Sequence, residues 1–204
     1  ADLGCGTGIA TRLWIKSGFK AIGIDPNTDM LAQARKEAQG QYLEGDESAT
    51  GLPDSSVDLV SIAQAFHWFD LKKAQQESSR ILKPTGSVCA FWNLRTPTPL
   101  QAEYEDLLRL HCPDWKENPK AHETISKIIS HPQTQAPKQA MFQSLQKLDR
   151  ESFFGRVHSA SYVAHGLINP EEFEIELSRF FDKYSVRGLL DFQYDCTAVL
   201  WKIK

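Results

Sequence analysis

The chain has 204 residues, enough for one sizeable domain with a buried core. Hydrophobic residues make up 41% and charged residues 24%, as in ordinary globular proteins, and the net charge of −3 lacks the basic excess of a nucleic-acid binder. No apolar run approaches the roughly 20 residues of a membrane span, and four dispersed cysteines favour reduced thiols in a cytoplasmic protein over a disulfide or zinc framework.

Strand-like and helix-like patterns alternate through residues 1–95. Asn27 and Asp70 offer N-cap side chains for two of the helices, and Gly18 and Gly40 are natural stops for two. The predicted strands cover residues 1–3, 20–25, 41–43, 57–66 and 86–93. Such regular alternation with short connections predicts an α/β fold with a doubly wound, mainly parallel sheet.

The pattern changes after Pro97. We predict an amphipathic helix over residues 99–112, a polar insertion with four prolines over 113–140, a helix starting at Pro170 and an antiparallel final strand over 192–204. No segment stands out as the sixth strand. We expect a single domain over 1–204, with a cofactor-binding half at 1–95 and a substrate-side half at 96–204. Because the chain opens inside a strand-like segment, we also expect further residues to precede it.

The strongest motif is DLGCGTG at residues 2–8, placed between a predicted strand and a helix. Alternate glycines allow a tight turn and a close approach of a ligand to the main chain, beside a helix N-terminus that favours polar groups. Asp25 ends the next predicted strand, where a carboxylate can accept both hydroxyls of a ribose. The dinucleotide fingerprint fits less well, because Ile9 occupies its third glycine position.

With these residues in view, the sequence resembles the class I methyltransferases of the ubiquinone/menaquinone-methyltransferase-like kind, the type 11 methyltransferase domain. Within them it is most similar to the trans-aconitate-methyltransferase-like group. The matching segments are DLGCGTG (2–8), GIDPNTDML (23–31), GD (45–46) followed by LP (52–53), VDLVSIAQAFHWFD (57–70) and RILKPTGSVCAFWNLR (80–95). The resemblance implies a Rossmann-like methyltransferase fold, with a helical insertion after the fifth strand, and S-adenosylmethionine as cofactor.

The resemblance also assigns cofactor contacts to particular residues. The methionine end would lie against Asp2, Gly4, Cys5, Gly6 and Gly8. Asp25 would hold the ribose beside Pro26, Asp46 would receive the adenine amino group with Glu47 beside it, and Gln64 and Ala65 would face the sulfonium. A structural turn is the alternative for the glycines, and a solvated loop acid is the alternative for Asp46 and Glu47.

The acceptor side is less defined. His67 is the candidate general base, with a packing histidine as the alternative. Arg95 suits a substrate carboxylate, although a surface ion pair is equally consistent with the sequence. The other candidate substrate residues are Trp68, Trp92, Asn93 and Tyr162. The remaining histidines show no ligand spacing, so we predict no metal.

A methyltransferase acting on a small molecule is therefore the leading hypothesis, with a carboxylate-bearing metabolite as the candidate acceptor. The chain lacks an N-P-P-Y-type segment after the fourth strand, and with the acidic balance this favours a small molecule over DNA, RNA or protein. Oxygen, carbon and nitrogen acceptors remain open. The alternatives are a non-catalytic module that binds S-adenosylmethionine and, less favoured, a nicotinamide-dependent oxidoreductase. The sequence does not define the oligomeric state.

Overall fold

The computed structural model describes residues 1–37, 40–115 and 120–204. Its strands are β1 (Asp2–Leu3), β2 (Ile22–Asp25), β3 (Gln41–Glu44), β4 (Val57–Ala63), β5 (Leu82–Arg95), β6 (Thr134–Leu148) and β7 (Leu190–Ile203). Its helices are α1 (Ile9–Lys16), α2 (Thr28–Lys36), α3 (Leu71–Ile81), α4 (Pro99–His111), α5 (Lys120–Ser130), α6 (Arg150–His158), α7 (Ser161–Ala164) and α8 (Pro170–Tyr184), with a short 3₁₀ turn at Phe66–Trp68. In the described ranges, no helix is both long and apolar enough to cross a membrane.

Several helices begin where local chemistry predicts. The Asn27 side chain accepts hydrogen bonds from the backbone N–H groups of Asp29 and Met30, at 3.0 and 3.1 Å. Asp70 accepts one from the backbone of Lys73 at 3.1 Å. These bonds satisfy donors that have no partner within the first helical turn, so the predicted N-caps of α2 and α3 are confirmed.

The strands form one sheet in the order β3-β2-β1-β4-β5-β7-β6. The pairs β1–β2, β2–β3, β1–β4 and β4–β5 are parallel, and the C-terminal part of the sheet is antiparallel. This arrangement confirms the predicted doubly wound, mainly parallel fold. In the register, Asp2 lies opposite Gly23 on one side and Ser61 on the other. The carboxyl ends of β1, β2 and β4 are therefore neighbours, which is where open sheets of this kind bind ligands.

Residues 113–140 differ from the predicted polar insertion. The described part of this stretch contains α5 and the start of β6, which supplies the strand that the sequence did not reveal. β6 lies at the edge of the sheet, and its residues are exposed from Gln135 to Lys147. An edge strand with little burial needs no apolar alternation and tolerates a proline such as Pro137, so it lacks the usual sequence signal.

Other element boundaries also differ from the predictions. Strand β5 begins at Leu82, directly after α3, and so starts before the predicted strand at residues 86–93. Helix α2 ends at Lys36 rather than near Gly40. The helices α6 and α7 had no counterpart among the predicted elements.

The chain divides into two compact units with separate cores. The first unit comprises the described parts of Ala1–Trp92, Pro119–Met141 and Thr197–Lys204, and the second comprises those of Asn93–Asn118 and Phe142–Cys196. In the first, Ile24, Val60 and Ile62 are fully buried in the parallel strands. The second is built around aromatic side chains in mutual contact: Tyr104, Phe153, Phe180 and Phe192.

Candidate functional site

The glycine-rich turn joins β1 to α1 within the first unit. Gly4, Gly6 and Gly8 have φ values of 71°, 54° and 77°, a left-handed conformation that side chains disfavour. A Cβ on Gly4 would lie only 2.6 Å from the Cβ of Ala65, whereas a Cβ on Gly6 would meet nothing within 4 Å. Gly4 is therefore required for packing, while the main chain at Gly6 borders open space.

Asp25 connects this turn to the end of β2. Its Oδ2 accepts a hydrogen bond from the backbone N–H of Gly6 at 2.8 Å, and its Oδ1 accepts one from that of Asn27 at 2.9 Å. Asp25 is partly exposed, and Pro26 beside it is exposed. Each carboxylate oxygen can accept more than one hydrogen bond, so both retain capacity for a pair of ligand hydroxyls.

Asp2 lies beneath the turn with 1% of its surface exposed. Its Oδ2 accepts a hydrogen bond from the Thr11 hydroxyl at 2.6 Å, whereas its Oδ1 is buried without a hydrogen bond from the described residues. The nearby Ser61 hydroxyl accepts a hydrogen bond from the Trp14 indole N–H instead. Desolvation raises the pKa of the Asp2 carboxyl to about 6, against the weaker opposing effects of Thr11 and Ser61. A nearby cation would relieve this cost.

Cys5 helps to hold the glycine turn through its backbone N–H rather than through its thiol. Its N–H donates to the carbonyl of Ile24 at 3.0 Å, next to the equivalent 2.8 Å bond from Gly4. Burial raises the pKa of the Cys5 thiol to about 12, so this sulfur stays protonated and unreactive near neutral pH.

Asp46 and Glu47 follow β3 and shape the loop that they occupy. The Oδ1 atom of Asp46 accepts bonds of 2.7 Å from both the backbone and the hydroxyl of Ser48, and one of 2.9 Å from the backbone of Ala49. The Ser48 bonds hold the pKa of the Asp46 carboxyl below its usual value. Glu47 accepts a 3.3 Å bond from the backbone of Asp70. Both side chains are half-buried, and their adenine contacts stay predictions.

Gln64 and Ala65 follow β4 beside the glycine turn. Gln64 has a φ of 61° although it is not glycine, and its backbone N–H donates to the carbonyl of Phe91 at 2.9 Å. Strained residues of this kind concentrate at functional sites. Phe69 also packs against the turn, because its ring would lie 3.0 Å from a Cβ on Gly4.

His67 lies in the 3₁₀ turn and is partly exposed. Its ring centroid is 4.9 Å from that of Trp68, whose side chain is 75% exposed. His67 borders a cavity of about 300 Å³, which the sequence did not predict because its wall combines two distant segments. The other lining residues are Phe66, Phe69, Asp70, Leu71, Lys72, Thr124 and Lys127.

The remaining predicted substrate residues have different environments. Trp92 is 1% exposed, so contact with an acceptor would need the surrounding core to move. Asn93 is exposed, and Tyr162 is partly buried against the aromatic core of the second unit. Arg95 lies over the Tyr104 ring and 3.8 Å from a Glu105 carboxylate oxygen. This is the surface ion pair weighed above, and the substrate roles of all four residues stay predictions.

Comparison with known proteins finds similarity to methyltransferases in the first part of the chain. Residues 1–90 match the family model described as a methyltransferase domain. An uncharacterised methyltransferase of Mycobacterium bovis is 39% identical over 95 residues, which are 46% of this chain and 39% of that protein. A malonyl-[acyl-carrier protein] O-methyltransferase of Pectobacterium atrosepticum is 42% identical over 95 residues, or 46% of this chain and 37% of that one. The matches thus span little more than a third of each relative.

Solved structures extend the likeness to the whole fold. A protein from Anaeromyxobacter dehalogenans, provisionally named a type II methyltransferase, has a TM-score of 0.69 at 22% identity, covering 98% of this chain and 88% of that one. The YcgJ protein of Bacillus subtilis has a TM-score of 0.56 at 20% identity, covering 100% and 90%. Residues 1–90 are therefore similar to the methyltransferase domain family, and the whole chain shares its Rossmann-like fold with these solved structures.

Proposed function

We propose that this chain binds S-adenosylmethionine and transfers its methyl group to a small, carboxylate-bearing molecule. One observation carries most of this proposal. The Asp25 carboxylate is held between the backbone N–H groups of Gly6 and Asn27, so an acceptor for ribose hydroxyls lies directly beside open main chain at the glycine turn. This juxtaposition of a bare turn and a fixed carboxylate suits a nucleoside whose other end is a small polar group.

The donor groups fit each part of that cofactor. The buried Oδ1 of Asp2, which no described residue satisfies, suits the methionine ammonium, directly or through a water molecule. Gly6 would expose its main chain to the methionine end, Gly4 and Gly8 allow the tight turn beside it, and Asp25 would hold the ribose. Asp46 would accept a hydrogen bond from the adenine amino group with the oxygen that does not cap its own loop. A pyrophosphate in the same place would lie near the carboxylates of Asp2 and Asp25. Repulsion between these negative charges disfavours a nicotinamide dinucleotide.

The bound cofactor would supply a methyl group already activated on its sulfonium. The task left to this chain is to align the acceptor and exclude water, which contributes on the order of 7–11 kcal/mol in well-oriented reactions. Gln64 and Ala65, at the strained end of β4, would face the reacting centre. If the acceptor still carries a proton, His67 would take it, since an imidazole is a competent base near neutral pH. A carboxylate oxygen is already ionised there, so for such an acceptor His67 would only help to orient it.

The cavity beside His67 supports the acceptor class. Lys72 and Lys127 line it, against the single carboxylate of Asp70, so it favours an anionic group. Lys127 is also paired with Glu123 at 2.7 Å, which moderates this charge. Arg95 is the other candidate for the carboxylate. The P. atrosepticum relative is named as an O-methyltransferase acting on a malonyl group, which supports a carboxylate oxygen as acceptor.

A turnover assay tests the proposal. S-adenosylhomocysteine release would be measured while the chain is supplied with S-adenosylmethionine and a panel of small dicarboxylates and their monoesters. We expect turnover with at least one acid. Because a carboxylate acceptor is already ionised near neutral pH, His67→Gln should lower kcat by no more than about tenfold, through lost positioning, and should leave S-adenosylhomocysteine affinity unchanged. Binding without turnover for every acid would favour the non-catalytic module instead.

A further inference from the structure

A buried carboxylate on α3 lies outside the groups assigned to the cofactor. The side chain of Glu77 is 6% exposed. Its Oε1 accepts hydrogen bonds from both the backbone N–H and the hydroxyl of Thr50, at 2.8 and 2.6 Å. Thr50 itself is fully buried. A single oxygen on a helix therefore fixes one residue of the loop that joins β3 to β4.

Arg80 holds this carboxylate in place. Its Nε donates to Oε2 of Glu77 at 2.8 Å, and one terminal nitrogen donates to Oε1 at 2.6 Å. The other terminal nitrogen reaches Oδ1 of Asp54, farther along the same loop, at 2.6 Å. These bonds keep the pKa of the Glu77 carboxyl at about 2, with the Arg80 hydrogen bond as the largest cause. Glu77 is thus a fixed anion that α3 presents to the loop.

The loop transmits this constraint to Asp46 over a short distance. Ala49 precedes Thr50, and Ala49 and Asp46 exchange backbone hydrogen bonds of 3.1 and 3.3 Å. The Asp46 side chain is also bonded to the backbone of Ala49 at 2.9 Å. At the other end, the backbone N–H of Gly45 donates to the carbonyl of Asp25 at 3.3 Å. The loop is therefore held between Asp25 and Glu77, with Asp46 between these two attachments.

We propose that Glu77 is a positioning residue for adenine recognition, because it fixes Thr50 and through it the carboxylate of Asp46. This inference rests on the proposed function, in which Asp46 accepts a hydrogen bond from the adenine amino group. A merely structural ion pair would stabilise the fold without affecting which base the site prefers. A positioning residue would determine that preference, even where the protein stays folded.

The test compares two nucleosides in calorimetric titrations of the full chain. S-adenosylhomocysteine carries the amino group, and S-inosylhomocysteine carries an oxo group in its place. We expect the wild type to prefer the adenine compound by roughly tenfold or more, the usual size of a hydrogen bond to a charged group. Glu77→Gln and Thr50→Val should each reduce that preference to near unity, as Asp46→Ala also should. Thr50→Ser keeps the hydroxyl and should retain the preference.

The controls separate the possible outcomes. Glu103→Gln removes an ion-paired carboxylate of the second unit and should leave the preference unchanged. If Glu77→Gln and Thr50→Val lower the melting temperature but keep the preference, Glu77 is structural and the inference is overturned. If the wild type binds both nucleosides equally, Asp46 does not read adenine. This inference and the Asp46 contact then fail, while cofactor binding by the chain stands. If the wild type binds neither nucleoside, both this inference and the proposed function fail.

Discussion

The sequence predicts a role for Asp2 at the cofactor, but it does not reveal how deeply this carboxyl is buried or how far its pKa is raised. An acid two positions before the first glycine suggests a contact with the methionine ammonium. In the structure this acid is 1% exposed, and desolvation raises the pKa of its carboxyl to about 6. The residue is then protonated below that pH, and only the charged form attracts an ammonium group.

Cofactor affinity should therefore weaken in mild acid. Between pH 7 and pH 5 the Kd for S-adenosylhomocysteine should rise by about tenfold, because binding must first remove the Asp2 proton. The contribution of Asp2 to stability has the opposite trend. Its folded pKa lies above the unfolded value, so this contribution grows as the pH falls through about 6. Calorimetry across this range measures the effect on binding.

Asp2→Asn is the matched variant for this measurement. It keeps the shape of the side chain but cannot ionise, so its affinity should be lower near pH 7 and should vary little down to pH 5. A pH dependence that persists unchanged in Asp2→Asn would show that another group titrates and that Asp2 does not receive the ammonium.

At the scale of elements, the glycine turn assigns different roles to glycines with the same backbone conformation. Gly4→Ala places a Cβ 2.6 Å from that of Ala65, so left-handed strain adds to overpacking, for a cost of about 2–4 kcal/mol in unfolding free energy. Gly6→Ala meets open space and should cost only about 1 kcal/mol. Its methyl group would nonetheless project into the space assigned to the cofactor.

Urea denaturation and calorimetry together distinguish the two glycines. We expect Gly4→Ala to lose mainly stability and Gly6→Ala to lose mainly S-adenosylhomocysteine affinity, by about tenfold or more. The contrary result is that Gly6→Ala loses as much stability as Gly4→Ala and keeps its affinity for S-adenosylhomocysteine. That result would mean that the cofactor does not approach the main chain at Gly6.

Elements with local signals could be predicted, and those defined by distant contacts could not. The N-caps at Asn27 and Asp70 depend on neighbouring residues, so the sequence was sufficient for both. The bonds of Gly6 to Asp25 and of Thr50 to Glu77 join residues far apart in sequence. The edge strand β6 was missed because its exposed residues have no reason to alternate.

At the scale of the whole molecule, the two units differ in how much is known of them. The family match ends at residue 90, near the end of the first continuous segment of the first unit. The acids and glycines assigned to the cofactor all lie in that unit, whereas Arg95 and Tyr162 lie in the second. The fold is thus shown and residues 1–90 resemble a methyltransferase domain, while the acceptor and the trans-aconitate-like subgroup stay predictions.

The most direct test of the central claim is calorimetric titration with S-adenosylmethionine, S-adenosylhomocysteine and NAD, in the wild type and in Asp25→Ala. We expect both sulfur nucleosides to bind the wild type with roughly micromolar affinity and NAD not to bind. Asp25→Ala should lose about 2 kcal/mol or more of the binding free energy for the two sulfur nucleosides. Circular dichroism would establish that the variant is folded. Binding of NAD, with neither sulfur nucleoside bound, would contradict the account and every cofactor residue assigned in it.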